Sequence, residues 1–138
     1  MGGIAVVALS LAVFILAVGT SAQSNAGVSS HVLDQTTGVP AANVWVSLYY
    51  FSESAQQFQM LSTQKTNQDG RIDTLVTQSQ FVSGKYKALF NVEPYFQSKG
   101  LQYFYPYIEV TFLVKDNTQH YHVPLLLSPF GYSTYRGS

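Results

Sequence analysis

Apolar and polar residues alternate with a period of two over much of this chain, the pattern of strands that bury one face. From Val44 to Phe51, residues Val44, Val46, Leu48 and Tyr50 stand against Trp45, Ser47 and Tyr49. Gly84 to Phe90 sets Tyr86, Ala88 and Phe90 against Lys85 and Lys87, and Ile108 to Lys115 alternates through Ile108, Val110, Phe112 and Val114. Shorter or weaker runs predict strands over Ser30 to Leu33, Gln59 to Thr66, onward from Arg71, His120 to Leu127, and Tyr132 to Tyr135. Turn formers separate them: Asp34 to Gly38 with Pro40, Asn67-Gln68-Asp69-Gly70, Asp116-Asn117, and Ser128-Pro129 with Gly131. Glu93 to Lys99 is the one helix candidate in the mature chain, and Gly100 would stop it. Seven or eight short strands with one short helix predict an all-β fold, a two-layer antiparallel β-sandwich.

The beginning of the chain breaks this pattern. Ile4 to Val18 is a nearly unbroken apolar run, shorter than the roughly 18–20 residues that span a bilayer. Small residues follow, and both Thr20-Ser21-Ala22 and Ser24-Asn25-Ala26 fit the small-x-small pattern of signal cleavage. The reading is a signal peptide over residues 1–22, cleaved as late as 26, followed by one domain over 23–138. Export follows, to the periplasm if the host has two membranes, with no membrane association after cleavage. One feature departs from the usual signal: no Lys or Arg precedes Lys65. An uncleaved anchor is the other reading of this segment.

Composition narrows the function classes. Charged residues make up 10% of the 138, with seven basic against seven acidic, so no electrostatic footprint for nucleic acid is present. So few charges leave a surface that favours self-association, which points to an oligomer. The chain has no cysteine, which excludes thiolate chemistry and cysteine-based metal sites. The aromatic end, with Phe130, Tyr132 and Tyr135, predicts a C-terminus that is packed rather than frayed.

The chemistry-bearing residues are few. His120 and His122 lie two apart, so a strand would project both to one face. They read as surface residues or as a partial zinc site that would need His31 as its third ligand. His31 taken alone reads as a half-exposed strand residue, Arg71 as a solvated hairpin arginine, and Asp69 and Asp73 as turn and solvent residues. No GxSxG, HExxH, phosphate loop or acidic calcium loop occurs.

Three blocks, SHVLDQTTGVPAANVWVSLY, TNQDGRI and HYHVPLLLSPFGYSTYRGS, resemble the signatures of 5-hydroxyisourate hydrolases, the transthyretin-related enzymes of purine breakdown. They occur in family order and span Ser30 to Ser138, with the YRGS ending the most specific of them. Phe51 to Thr66 departs from the family in detail. The resemblance implies a transthyretin-like homotetramer whose sites lie in a channel between dimers. It implies His31, Arg71, His122 and Ser138 as catalytic residues. Tyr135, His120, Arg136 and Gly137, together with His31 and Arg71, would contact the substrate. It implies no metal and no cofactor.

The implied reaction is opening of 5-hydroxyisourate to 2-oxo-4-hydroxy-4-carboxy-5-ureidoimidazoline by water attack on a cyclic amide. A neutral imidazole, with an ordinary pKa of about 6.5, suits proton removal from water near neutrality. Either His31 or His122 could be that base. A guanidinium at Arg71 would hold the planar ring and favour the developing anion. Tyr135 would wall the substrate, and Ser138 would offer a hydroxyl or its carboxylate. Two other classes compete: a transthyretin-like carrier that uses the same fold without chemistry, and an exported structural β-sandwich. The histidines and the YRGS end favour the hydrolase.

Overall fold

The computed structural model describes residues 26–138. The expected signal peptide lies outside the described residues. Nine strands, one α-helix and one 3-10 turn (Gln78–Gln80, between β5 and β6) follow in order: β1 (Gly27–Asp34), β2 (Val39–Pro40), β3 (Trp45–Ser52), β4 (Gln57–Lys65), β5 (Arg71–Val76), β6 (Gly84–Asn91), α1 (Glu93–Ser98), β7 (Ile108–Val114), β8 (His120–Ser128) and β9 (Gly131–Thr134). Two sheets face each other. One has the order β2-β1-β8-β9, with β5 also paired to β1; the other is β4-β3-β6-β7.

The alternation read from the sequence sorts residues correctly between core and surface. Val46, Leu48, Tyr86, Ala88, Phe90, Ile108 and Val114 are buried from one sheet, while Val28, Val32, Val123, Leu125 and Leu127 meet them from the other. Tyr86 is buried with its hydroxyl satisfied, donating to the Val82 carbonyl at 2.7 Å and accepting from the Val82 amide at 3.2 Å. Gly100, at φ +64°, takes the left-handed conformation that ends α1, and its amide donates to the Gln97 carbonyl.

One ladder differs from the antiparallel expectation. β1 and β8 run parallel, in a register from Gly27 opposite His120 to Asp34 opposite Leu127. Alternation predicts which side chains share a face and is silent on strand direction. This pair brings the two ends of the described chain together.

Asp34 ties this sheet to α1. Its carboxylate accepts from the amides of Thr36 and Thr37 and from the Tyr95 hydroxyl at 2.7 Å. Burial pushes its pKa up, but these hydrogen bonds outweigh burial and hold it below the usual carboxylate range. The aspartate of the HVLD block therefore serves the fold.

The C-terminal aromatics correct one expectation. Phe130, Tyr132 and Tyr135 are exposed in the single chain, at 66%, 42% and 58%. Backbone pairing fixes this end instead. β9 pairs with β8 from Ser128 opposite Gly131 to Leu125 opposite Thr134. After a break beside Pro124, which has no N–H to offer, Gly137 resumes the same register opposite His122.

Candidate active site

The outer face of the β1–β8 sheet gathers the polar residues that the sequence singled out. On β1, residues 28, 30, 32 and 34 turn inward, so Ser29 and His31 turn outward. On β8 the inward residues are Tyr121, Val123, Leu125 and Leu127, which leaves His120 and His122 outside. The parallel register sets Ser29 directly opposite His122, and the β5 ladder sets His31 opposite Arg71.

The turn before β5 is what fixes Arg71. Asn67 Oδ1 accepts from the amides of Asp69 and Arg71, both at 2.9 Å, and the Asn67 amide donates to the Arg71 carbonyl at 3.0 Å. Gly70 has φ +70°, and a Cβ there would collide with the Val32 carbonyl oxygen. Only glycine lets the turn come this close to β1.

Sequence reasoning missed Ser29. Its Oγ lies 2.7 Å from Nε2 of His120 and 2.7 Å from Nδ1 of His122, so one hydroxyl links the two imidazoles. The signal was in the chain all the same. A serine two residues before His31 must share its face once β1 is a strand.

The environment of His122 favours its neutral form. Burial lowers its pKa from the ordinary value, and the nearby Arg71 cation, His120 and His31 lower it further. Sequence alone left the base open between His31 and His122. His31 contributes something different: its Nε2 is shielded from solvent and has no hydrogen-bond partner. An unmatched buried polar atom costs about 1–3 kcal/mol, so it marks a place where a partner is wanted.

The tail reaches this group at one point. The Gly137 amide donates to the His122 carbonyl at 2.8 Å. A Cβ on Gly137 would stand 2.5 Å from Cδ2 of the His122 ring, so the imidazole lies over the space that glycine leaves. Ser138, the next residue, is exposed. Arg136 is engaged elsewhere, its guanidinium 4.6 Å from the centre of the Tyr121 ring and its Nη2 donating to Gln119 Oε1 at 2.9 Å. In the single chain these contacts make Arg136 an anchor of the tail.

A hollow of about 270 Å³ opens beside His122, walled by Phe112, Leu113, Tyr121, Thr134, Tyr135 and Arg136 among others. His31, Arg71 and His120 do not line it. In the single chain those three residues stay on the polar face of the sheet. His122 is common to the side pocket and to the polar face of the sheet. Among the described residues no group of three or more His, Asp or Glu side chains is close enough to hold a metal ion.

Comparison with known proteins places the chain in a family. The family model described as HIUase/Transthyretin family matches residues 28–137. A 5-hydroxyisourate hydrolase of Mus musculus is 44% identical over 117 residues, covering 85% of this chain and 99% of the relative. One from Salmonella dublin is 45% identical over 117 residues, covering 85% of each. The structure of Klebsiella pneumoniae 5-hydroxyisourate hydrolase superposes with a TM-score of 0.71 at 32% identity, covering 82% of this chain and 94% of that one. Sea bream transthyretin in complex with thyroxine gives 0.75 at 30% identity, covering 80% and 93%.

Proposed function

The chain belongs to the HIUase/Transthyretin family, and from that premise we infer that it is an enzyme that hydrolyses 5-hydroxyisourate. Overall shape does not separate hydrolase from carrier, since both kinds of protein superpose well. The relatives named as hydrolases favour the hydrolase. The observation that carries the reading is the outer face itself, where Arg71, His31 and His120 all bear on a half-buried His122 of lowered pKa.

His122 takes a proton from water as the water oxygen attacks the carbonyl carbon of the cyclic amide. Because its pKa is depressed, it remains an unprotonated acceptor at neutral pH. Arg71, cationic at any working pH, favours the anion that develops on the carbonyl oxygen. The unmatched Nε2 of His31 finds its partner in the bound heterocycle. Tyr135, Gly137 and Ser138 close the site from the tail, with Gly137 setting the ring position of His122.

The working assembly in this reading is a homotetramer. Among the described residues β7 and β9 end their sheets as unpaired edges, and the residues beside them include exposed Tyr107, Leu113, Phe130 and Tyr132. Unpaired edges of this kind are open to strand addition by a second copy. A further copy over the β1–β8 face would exclude water from the imidazoles. Light scattering of the purified protein tests the assembly, and a monomer at working concentration would contradict it. Export is likewise proposed from the apolar run Ile4 to Val18; N-terminal sequencing of the mature protein tests it, and an intact Met1 would refute cleavage.

The activity is tested by oxidising urate with urate oxidase in the presence and absence of the protein. The transient absorbance of the intermediate should collapse in proportion to added protein. An intermediate that decays at its spontaneous rate would defeat the assignment.

A further inference from the structure

Ser29 stands between two imidazoles at equal short distances, and hydrogen counting limits what it does there. A hydroxyl has one proton to donate, so it cannot satisfy two unprotonated ring nitrogens at once. With both contacts at 2.7 Å, at least one imidazole must donate to Oγ, which has two lone pairs to accept with. Two arrangements also keep the hydroxyl's own proton between the two rings. If His120 donates, the hydroxyl donates to Nδ1 of His122, and the proton of neutral His122 must sit on Nε2. If His122 donates through Nδ1, its lone pair is at Nε2 and is free to act as a base.

We propose that Ser29 is a positioning residue for the hydrolysis inferred above: it accepts from Nδ1–H of His122, donates to Nε2 of His120, and so fixes the base lone pair of His122 at Nε2. The strand register makes this a built arrangement, since Ser29 is opposite His122 and only 8% exposed. Gly137 pins the same ring from its other side. The charged or titratable groups that bear on His122 are Arg71 on β5, His120 on β8 and His31 on β1, with Tyr135 and Arg136 lining the hollow beside it.

The arrangement also gives the proton a route. As the water oxygen bonds to the carbonyl carbon, one water proton moves to Nε2 of His122. The Nδ1 proton of His122 then passes to Ser29 Oγ as the hydroxyl's own proton passes to Nε2 of His120. The net result is two neutral side chains and one imidazolium at His120. When the C–N bond breaks, its electron pair stays on the ring nitrogen, and the proton returns along the same path to that nitrogen.

The test pairs kinetics with nitrogen NMR of the histidine rings in the full protein without substrate. The wild type should show His122 as the Nδ1–H tautomer. Ser29→Ala should lose that preference, and its kcat should fall roughly tenfold to a hundredfold at little-changed KM, less than deletion of a general base. Ser29→Thr, which keeps the hydroxyl, should restore both. A wild-type His122 protonated on Nε2 would overturn the proposal, as would a Ser29→Ala protein with unchanged tautomer and kcat. If Ser29→Ala does not fold, the wild-type tautomer and the Ser29→Thr kinetics still decide. Because the NMR readout needs no substrate, it is independent of whether the protein turns over 5-hydroxyisourate.

Discussion

The two outer faces of this sandwich are built on the same strand geometry and yet behave differently. On the β3–β6–β7 face the charges are matched locally. Lys87 pairs with Glu109 at 3.3 Å and lies over the Tyr49 and Phe58 rings, Lys85 lies 4.2 Å from the centre of the Phe51 ring, and Lys65 covers Trp45. On the β1–β8 face a guanidinium and three imidazoles bear on one another with no carboxylate among the influences on His122. One face settles its charges within the chain. The other keeps polar groups in tension: a buried ring nitrogen without a partner and a histidine that resists protonation. Function is read from that tension, since perturbed ionisation and unmatched polar atoms concentrate where chemistry occurs.

The contrast can be broken by substitution. His122→Asn should lower kcat by roughly 10²–10⁴-fold while melting stays nearly unchanged, because a general base serves chemistry and not core packing. Unchanged turnover in a folded variant would remove His122 from the mechanism. Arg71→Gln should cost about 10²–10³-fold in kcat through lost stabilisation of the anion. It should also raise the pKa of His122, because the cation beside it disfavours the imidazolium, so the acid limb of activity moves to higher pH. An acid limb that stays put would show that Arg71 acts only on substrate.

Gly137→Ala should reduce kcat by up to about a hundredfold, since its Cβ must displace the His122 ring or the tail. Full activity would mean that the tail can move aside at no cost. At the small end, Lys87→Met on the opposite face should change stability by about 1 kcal/mol or less and leave turnover untouched. A kinetic effect from that side would show that the two faces are coupled.

The legibility of this molecule in its sequence follows the same division. Period-two alternation located β3, β6 and β7, and Asn67-Gln68-Asp69-Gly70 located the turn that carries Arg71. Both signals are local. The parallel pairing of β1 with β8 is not, and it is what sets Ser29 against His122. Without that register a serine before HVL looks like any strand residue. The tail misled in another way: its aromatics suggested packing, but Phe130 and Tyr135 are exposed and backbone pairing at Gly137 holds the end. Hydrophobicity alone does not distinguish an exposed aromatic side chain from one buried in the core.

The central claim is that His122, kept neutral by its surroundings, is the base. It is tested most directly by the pH dependence of kcat/KM in the wild type and in His122→Asn measured together. A depressed pKa places the wild-type acid limb below the ordinary histidine value of about 6.5. The residual activity of the variant should lack that limb. A wild-type limb at or above that value, or the same limb in both proteins, would contradict the account.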